Sequence, residues 1–171
     1  AIRTSTDAIT WTTRTSNFTG SISSVAYGND LWVAVGLYAS IRTSTDAITW
    51  TTQTSNFGNM FINSVAYGNN LWVIAGGSGD LSTSTDAITW TTRTSNFGTG
   101  IIYSVAYANN LWVAGGEYGN IRTSTDAVTW TTQTSNFGNS NIYSVAYGNN
   151  LWVAAGYTGQ LRTSTDAVTW T

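Results

Sequence analysis

The sequence predicts an all-β fold, a β-propeller of four-stranded antiparallel blades made from four 40-residue repeats plus an extra terminal hairpin. Three observations carry that expectation. The phrase I-R-T-S-T-D-A-I-T-W at Ile2 to Trp11 returns with small changes at Ile41, Leu81, Ile121 and Leu161. A second phrase, S-V-A-Y-G-N-x-L-W-V, begins at Ser24, Ser64, Ser104 and Ser144 at a constant spacing of 40 residues, with Ala108 replacing its Gly once. Each repeat also contains one run that is apolar at nearly every position, such as Leu71 to Ala75. The organisation expected is a single repeat domain over 1–171, with 1–17 as an extra outer hairpin and blades over about 21–57, 61–97, 101–137 and 141–171.

Within a repeat, strand A is expected around Ile62 to Tyr67, strand B over Leu71 to Ala75, strand C over Leu81 to Thr85 and strand D over Ile88 to Thr94. Thr, Val, Ile, Tyr and Trp suit pleated backbone, while Gly-Asn-Asn and Asp-Ala punctuate it. No segment shows helical periodicity. The absence of proline leaves every backbone N–H free to join a ladder. The apolar strand B demands cover on both faces, which sheets stacked around an axis provide. A linear β-solenoid is the competing architecture, but its coils are usually shorter and its strands run parallel.

Composition narrows the chemistry. The 171 residues include six Arg, eight acidic residues and no Lys, His, Pro or Cys, for a net charge of −2. Few charges and many aromatics oppose disorder. Without cysteine there is no disulfide framework, thiolate nucleophile or Cys-type zinc site. Nucleic acid is not an expected partner, because phosphate neutralisation needs clustered cations. Nor is a membrane, since the apolar runs fall far short of the roughly 20 residues that span a bilayer. Ala1-Ile2-Arg3-Thr4 shows no signal-peptide pattern. Catalysis is not expected: His, the commonest general base, is missing, and so are Cys and Lys nucleophiles. Arg3, Arg42, Arg122 and Arg162 recur at one repeat position and read as a strand-surface feature, not a carboxylate-gripping triad. No cofactor and no metal site is expected.

The segment S-T-D-A-I-T-W, at Ser5, Ser44, Ser84, Ser124 and Ser164 onward, resembles the Asp-box of sialidase-like and photosystem-assembly-factor-like propellers (BNR repeats). The larger phrase V-A-Y-G-N-x-L-W-V-A-x-G followed by S-T-D-A-x-T-W is similar to a bacterial repeat of that superfamily, and the likeness covers essentially the whole chain. It implies that the box staples the C–D hairpin, away from the binding face. Asp7, Asp46, Asp86, Asp126 and Asp166 are then structural. Their chemistry agrees, since a turn aspartate accepts hydrogen bonds from nearby N–H groups. The box is one residue shorter than the usual form, with Ala8, Ala47, Ala87, Ala127 and Ala167 near the expected Gly. Members of the group are often exported, which implies an extracellular or secreted bacterial origin.

The repeats differ in two places. The D–A connections read Thr19-Gly20-Ser21, Gly58 to Phe61, Gly98 to Ile101 and Gly138 to Asn141, and the B–C turns read Leu37 to Ser40, Gly77 to Asp80, Glu117 to Asn120 and Tyr157 to Gln160. Connections alternate ends in an antiparallel blade, so both sets are expected on one face. Recognition usually sits on loops of a rigid scaffold. The candidate ligand-binding residues are Tyr38, Asp80, Glu117, Tyr118, Asn120, Tyr157 and Gln160, with Tyr103 and Tyr143 nearby. Tyr beside Asn, Asp and Gln suits glycans, since rings stack on sugar C–H faces; drift in tolerant turns is the plainer reading. The spare hairpin leaves a strand edge that invites another chain, so a homo-oligomer, a dimer closing a larger ring or exchanging the hairpin, is expected. The functional expectation is a non-enzymatic, self-associating scaffold, with lectin-like and protein-interaction modules as alternatives. Near-identity of the repeats fits recent amplification or deliberate construction.

Overall fold

A computed structural model describes all residues, Ala1–Thr171. Strands β1 (Ile2–Thr4) and β2 (Thr12–Arg14) form a lone hairpin. Three four-stranded sheets follow: β3 (Ile22–Gly28), β4 (Leu31–Gly36), β5 (Ile41–Ser44) and β6 (Thr51–Gln53); β7 (Ile62–Gly68), β8 (Leu71–Gly76), β9 (Leu81–Ser84) and β10 (Thr91–Arg93); β11 (Ile102–Ala108), β12 (Leu111–Gly116), β13 (Ile121–Ser124) and β14 (Thr131–Gln133). The last sheet has β15 (Ile142–Gly148), β16 (Leu151–Gly156) and β17 (Leu161–Ser164), with Thr171 alone bonded to Thr163 where a fourth strand would begin. Every neighbour is antiparallel and sequential. The fold is the expected all-β propeller of antiparallel blades.

Local chemistry sets the turns. The A–B strands are joined by two residues, both left-handed, such as Asn69 (φ 48°) and Asn70 (φ 58°). That is the twist-matched hairpin turn, and Asn tolerates it better than other side chains. In the C–D turn, Asp46 Oδ1 accepts from Ile48 N at 2.8 Å and Thr49 N at 2.7 Å, and Ser44 Oγ donates to it at 2.9 Å. The same set recurs at Asp7, Asp86, Asp126 and Asp166. Ala47, in place of the expected Gly, adopts φ 57°, a conformation costing roughly 1–2 kcal/mol for a non-glycine residue. Because the carboxylate holds Ile88 and Thr89 in the turn, strand D begins at Thr91, not at Ile88.

The apolar cores lie between sheets. Strand side chains alternate faces, so Val33 and Val35 of β4 meet Ile62, Val65, Trp72, Ile74 and Trp90 of the next repeat. Val73, Ala75 and Leu81 meet Ile102, Val105, Trp112 and Trp130 in the same way. Val113 and Ile121 meet Ile142, Val145, Trp152 and Trp170. Trp72, Trp112 and Trp152 are essentially fully buried.

A polar clasp closes each joint. Asn17, Asn56, Asn96 and Asn136 donate from Nδ2 to the carbonyls of Trp50, Trp90, Trp130 and Trp170. Arg42 and Arg122 are buried and are not the surface feature expected from sequence. Arg42 donates to Ile41 O at 3.0 Å and Asn17 O at 2.8 Å, and lies 4.9 Å over the Phe18 ring. Arg122 repeats this with Ile121 O, Asn96 O and Phe97. Loop carbonyls and the ring face replace part of the water around each guanidinium without a carboxylate, while Nε of Arg42 and Arg122 stays buried and unpaired. Ser82 fills the same position in the second repeat and donates to Asn56 Oδ1 at 3.0 Å.

Two outcomes follow. Trp112→Ala empties the middle joint and should cost about 3–5 kcal/mol in chemical denaturation. The turn carboxylates give the acid response. Backbone N–H bonds, from Thr49 and then Ile48 in the Asp46 turn, pull Asp7 and Asp46 down to about 2 from 3.8; Asp86, Asp126 and Asp166 move the same way for the same reason. Carboxylates lowered by folding stabilise above their unfolded value and lose that contribution as pH falls toward the folded one. Melting temperature should therefore hold above about pH 5 and fall between about pH 4 and 2.

Candidate functional site

The two varied connections meet on one rim. Leu37 N donates to Ser21 O at 3.0 Å, Gly77 N to Phe61 O at 3.0 Å, Glu117 N to Ile101 O at 2.9 Å and Tyr157 N to Asn141 O at 2.8 Å. Each B–C turn is thereby tied to the D–A loop of its own repeat. The turns carry consecutive left-handed residues: Tyr38 and Ala39, Ser78 and Gly79, Tyr118 and Gly119, Thr158 and Gly159. Gly119 is required, since a Cβ there would lie 2.2 Å from Gly138 O. Tyr118 at φ 57° and the β-branched Thr158 at φ 58° are the strained partners.

Strand A supplies the inner part of this rim. Pairing shifts at the residue between Ile62 and Ser64, and at its equivalents, so Ser23, Asn63, Tyr103 and Tyr143 occupy β-bulges. Bulges re-aim side chains. Ser23 Oγ donates to Ile62 O at 2.6 Å and Asn63 Nδ2 to Ile102 O at 3.0 Å, bridging blades. Tyr103 and Tyr143 instead pack edge to face, with centroids 5.1 Å apart.

Around that ring pair the third and fourth repeats build a polar frame. Ile101 N donates to Glu117 Oε2 at 3.0 Å and Tyr103 OH to Glu117 Oε1 at 3.4 Å. Asn141 Nδ2 donates to Tyr103 OH at 3.5 Å, and Tyr118 N to Asn141 Oδ1 at 3.3 Å. Burial, then the charge of Glu117, pushes the Tyr103 phenol above its ordinary range. Tyr143 and Tyr157 line a cavity of about 420 Å³ with Asn139, Ser140 and Asn141. Tyr118, Tyr143 and Tyr157 remain exposed.

Of the nine candidates, the structure brings together Tyr103, Glu117, Tyr118, Tyr143 and Tyr157. Tyr38 and Asp80 occupy the same turn set in the first and second repeats, outside this frame; burial pushes the Asp80 carboxyl up. Asn120 and Gln160 hold the loops: Asn120 Oδ1 accepts from Arg122 Nη1 at 3.3 Å, and Gln160 Nε2 donates to Ser140 Oγ at 3.0 Å. Sequence reasoning passed over Asn141, the connector of the frame. Its signal was a polar residue at the position of Phe61 and Ile101. The frame offers stacking surfaces and hydrogen-bonding groups.

No family model matches the sequence, and no curated protein matches it. Solved structures do. The chain superposes on YCF48 bound to D1 peptide with a TM-score of 0.74 at 18% identity, covering 91% of this chain and 56% of that one. YCF48 from Cyanidioschyzon merolae gives 0.68 at 16% identity, with 88% and 55% covered. The computationally designed Ika4 protein gives 0.68 at 12% identity, with 86% and 92% covered. The chain thus spans a little over half of the YCF48 chains, and identities this low establish the propeller fold alone.

Backbone strain at the rim gives a measurable consequence. Tyr118→Gly removes the left-handed penalty at an exposed position and should raise stability by about 1 kcal/mol in denaturant melts. Tyr118→Ala keeps the strain and should stay within about 0.5 kcal/mol of the parent.

Proposed function

We propose that residues 1–171 form one repeat domain of Asp-box type that acts as a non-catalytic scaffold, associates with copies of itself as a dimer, and presents its varied rim to a peptide segment of a protein partner. One observation carries the recognition reading: the A–B and C–D turns are nearly invariant, whereas the frame of Tyr103, Glu117, Tyr118, Asn141 and Tyr143 exists only where the third and fourth repeats meet. A scaffold needs alike blades for packing and unlike loops for specificity. The Ser-Asp-Trp turns, with Trp130 Nε1 donating to Ala127 O at 3.2 Å, support the Asp-box assignment. The YCF48 structure bound to D1 peptide offers a precedent for peptide capture on this fold. Fold alone does not confer function, so the argument rests on the frame.

A glycan is the second reading, favoured by the open Tyr143 and Tyr157 rings beside Asn139 and Asn141. The two are separated by probing the 171-residue chain with a random peptide display library and with a glycan array. Peptide binding that falls at least tenfold in Tyr143→Ala and persists in Tyr38→Ala is the expected result. Glycan binding with the same dependence selects the lectin reading. No binding in either format removes the recognition role.

A further inference from the structure

Resting on the self-association just proposed, we infer how two copies join: the hairpin β1–β2 of one copy replaces β17 on strand β16 of a second, and the sheet β15–β16 fills the space ahead of β3–β6. The internal joints supply the template. At each, the earlier blade lays Val33 and Val35, or their equivalents, over the Val, Trp and box Trp of the next. The face of β3–β6 lacks that cover. Val25 is 54% exposed where Val65, Val105 and Val145 are each 5%, and Trp32 is only half-buried.

The hairpin already stands where a preceding blade would put its outer strands. Asn17 Nδ2 donates to Trp50 O at 3.3 Å, and Arg42 donates to Asn17 O and covers Phe18, as at the internal joints. Missing are that blade's inner two strands. Their place is a cavity of about 720 Å³ whose lining includes Ile2, Val25, Trp32, Ile48 and Trp50. A second copy carries the inner two strands of this repeat with matching sequence.

The opposite end presents the complement. Val153 and Ala155 are half-covered, and Leu161 is 57% exposed where Ile41, Leu81 and Ile121 are fully buried. Strand β17 reads L-R-T-S, and β1 with the following Ser5 reads I-R-T-S, so β16 accepts either in one register. Trp152, Val153, Ala154 and Ala155, which face Ser164, Thr163, Arg162 and Leu161, would face Ser5, Thr4, Arg3 and Ile2. Trp11, now 54% exposed, would take the buried place of Trp170. The hairpin β1–β2 also brings the outer strand β2 and the Asn17–Phe18 clasp. The ladder on β16 is conserved, and Val25, Trp32, Ile2 and Val153 become buried.

The chain has no cysteine, so engineered pairs read the strand partners directly. Thr4→Cys with Val153→Cys should give a covalent oligomer on oxidation or with a short bis-maleimide, seen on a non-reducing gel. Val153→Cys with Thr163→Cys should give little intrachain bridging in the same sample. Light scattering of the parent chain should show more than one copy. Oligomers in which the Val153→Cys and Thr163→Cys pair bridges while the Thr4→Cys and Val153→Cys pair does not would overturn the exchange and leave self-association standing; a strict monomer would overturn both.

Discussion

The contact on which the molecule depends is the tryptophan-filled joint between consecutive blades. A single four-stranded sheet here has a central strand that is apolar toward both sides, and neither side can face water. Stacking meets both needs at once. The even residues of β8, Trp72 and Ile74, close one joint and the odd residues, Val73 and Ala75, the next, so each blade is both lid and floor. Stability is accordingly built up joint by joint, as in other repeat proteins where each unit touches only its neighbours.

The polar clasps make that stacking specific. A flat apolar joint could slide, but an asparagine reaching a tryptophan carbonyl and an arginine gripping a loop carbonyl fix one register. The arginine carries its charge into this place because carbonyl dipoles and a phenylalanine face surround it. Aspartate turns work at the same rim-to-rim scale: one carboxylate absorbs the N–H groups that a tight hairpin would leave unpaired. With the joints fixed in this way, exposed side chains of the B–C turns such as Tyr118 and Tyr157 vary without disturbing them.

The repeat period, the two-residue Asn hairpins, the aspartate turns and the shared rim of the varied loops were all legible in the residues. They depend on contacts within one repeat, where spacing along the chain equals neighbourhood in space. The polar frame around Tyr103 and Tyr143 was legible only in part. Tyr103 and Tyr143 lie 40 residues apart and touch because adjacent bulges aim them at each other, and Asn141 joins them to Tyr118 across a blade boundary. Asn120 and Gln160, two of the candidate ligand groups, each make one bond to a neighbouring side chain, Arg122 and Ser140, that spacing along the chain does not show.

What the sequence by itself determined is the unit: its length, its four strands, its turns and its two apolar faces, because these follow from side-chain alternation and local backbone preference. What only the tertiary structure decided is which residues of different units meet. Arg42 and Arg122 look exposed in a strand pattern and become buried because a neighbouring loop folds over them. Val25 and Leu161 look like core residues and are exposed because no blade lies against them. Burial is a property of the stacked array, and no single repeat contains the information about what stands beside it.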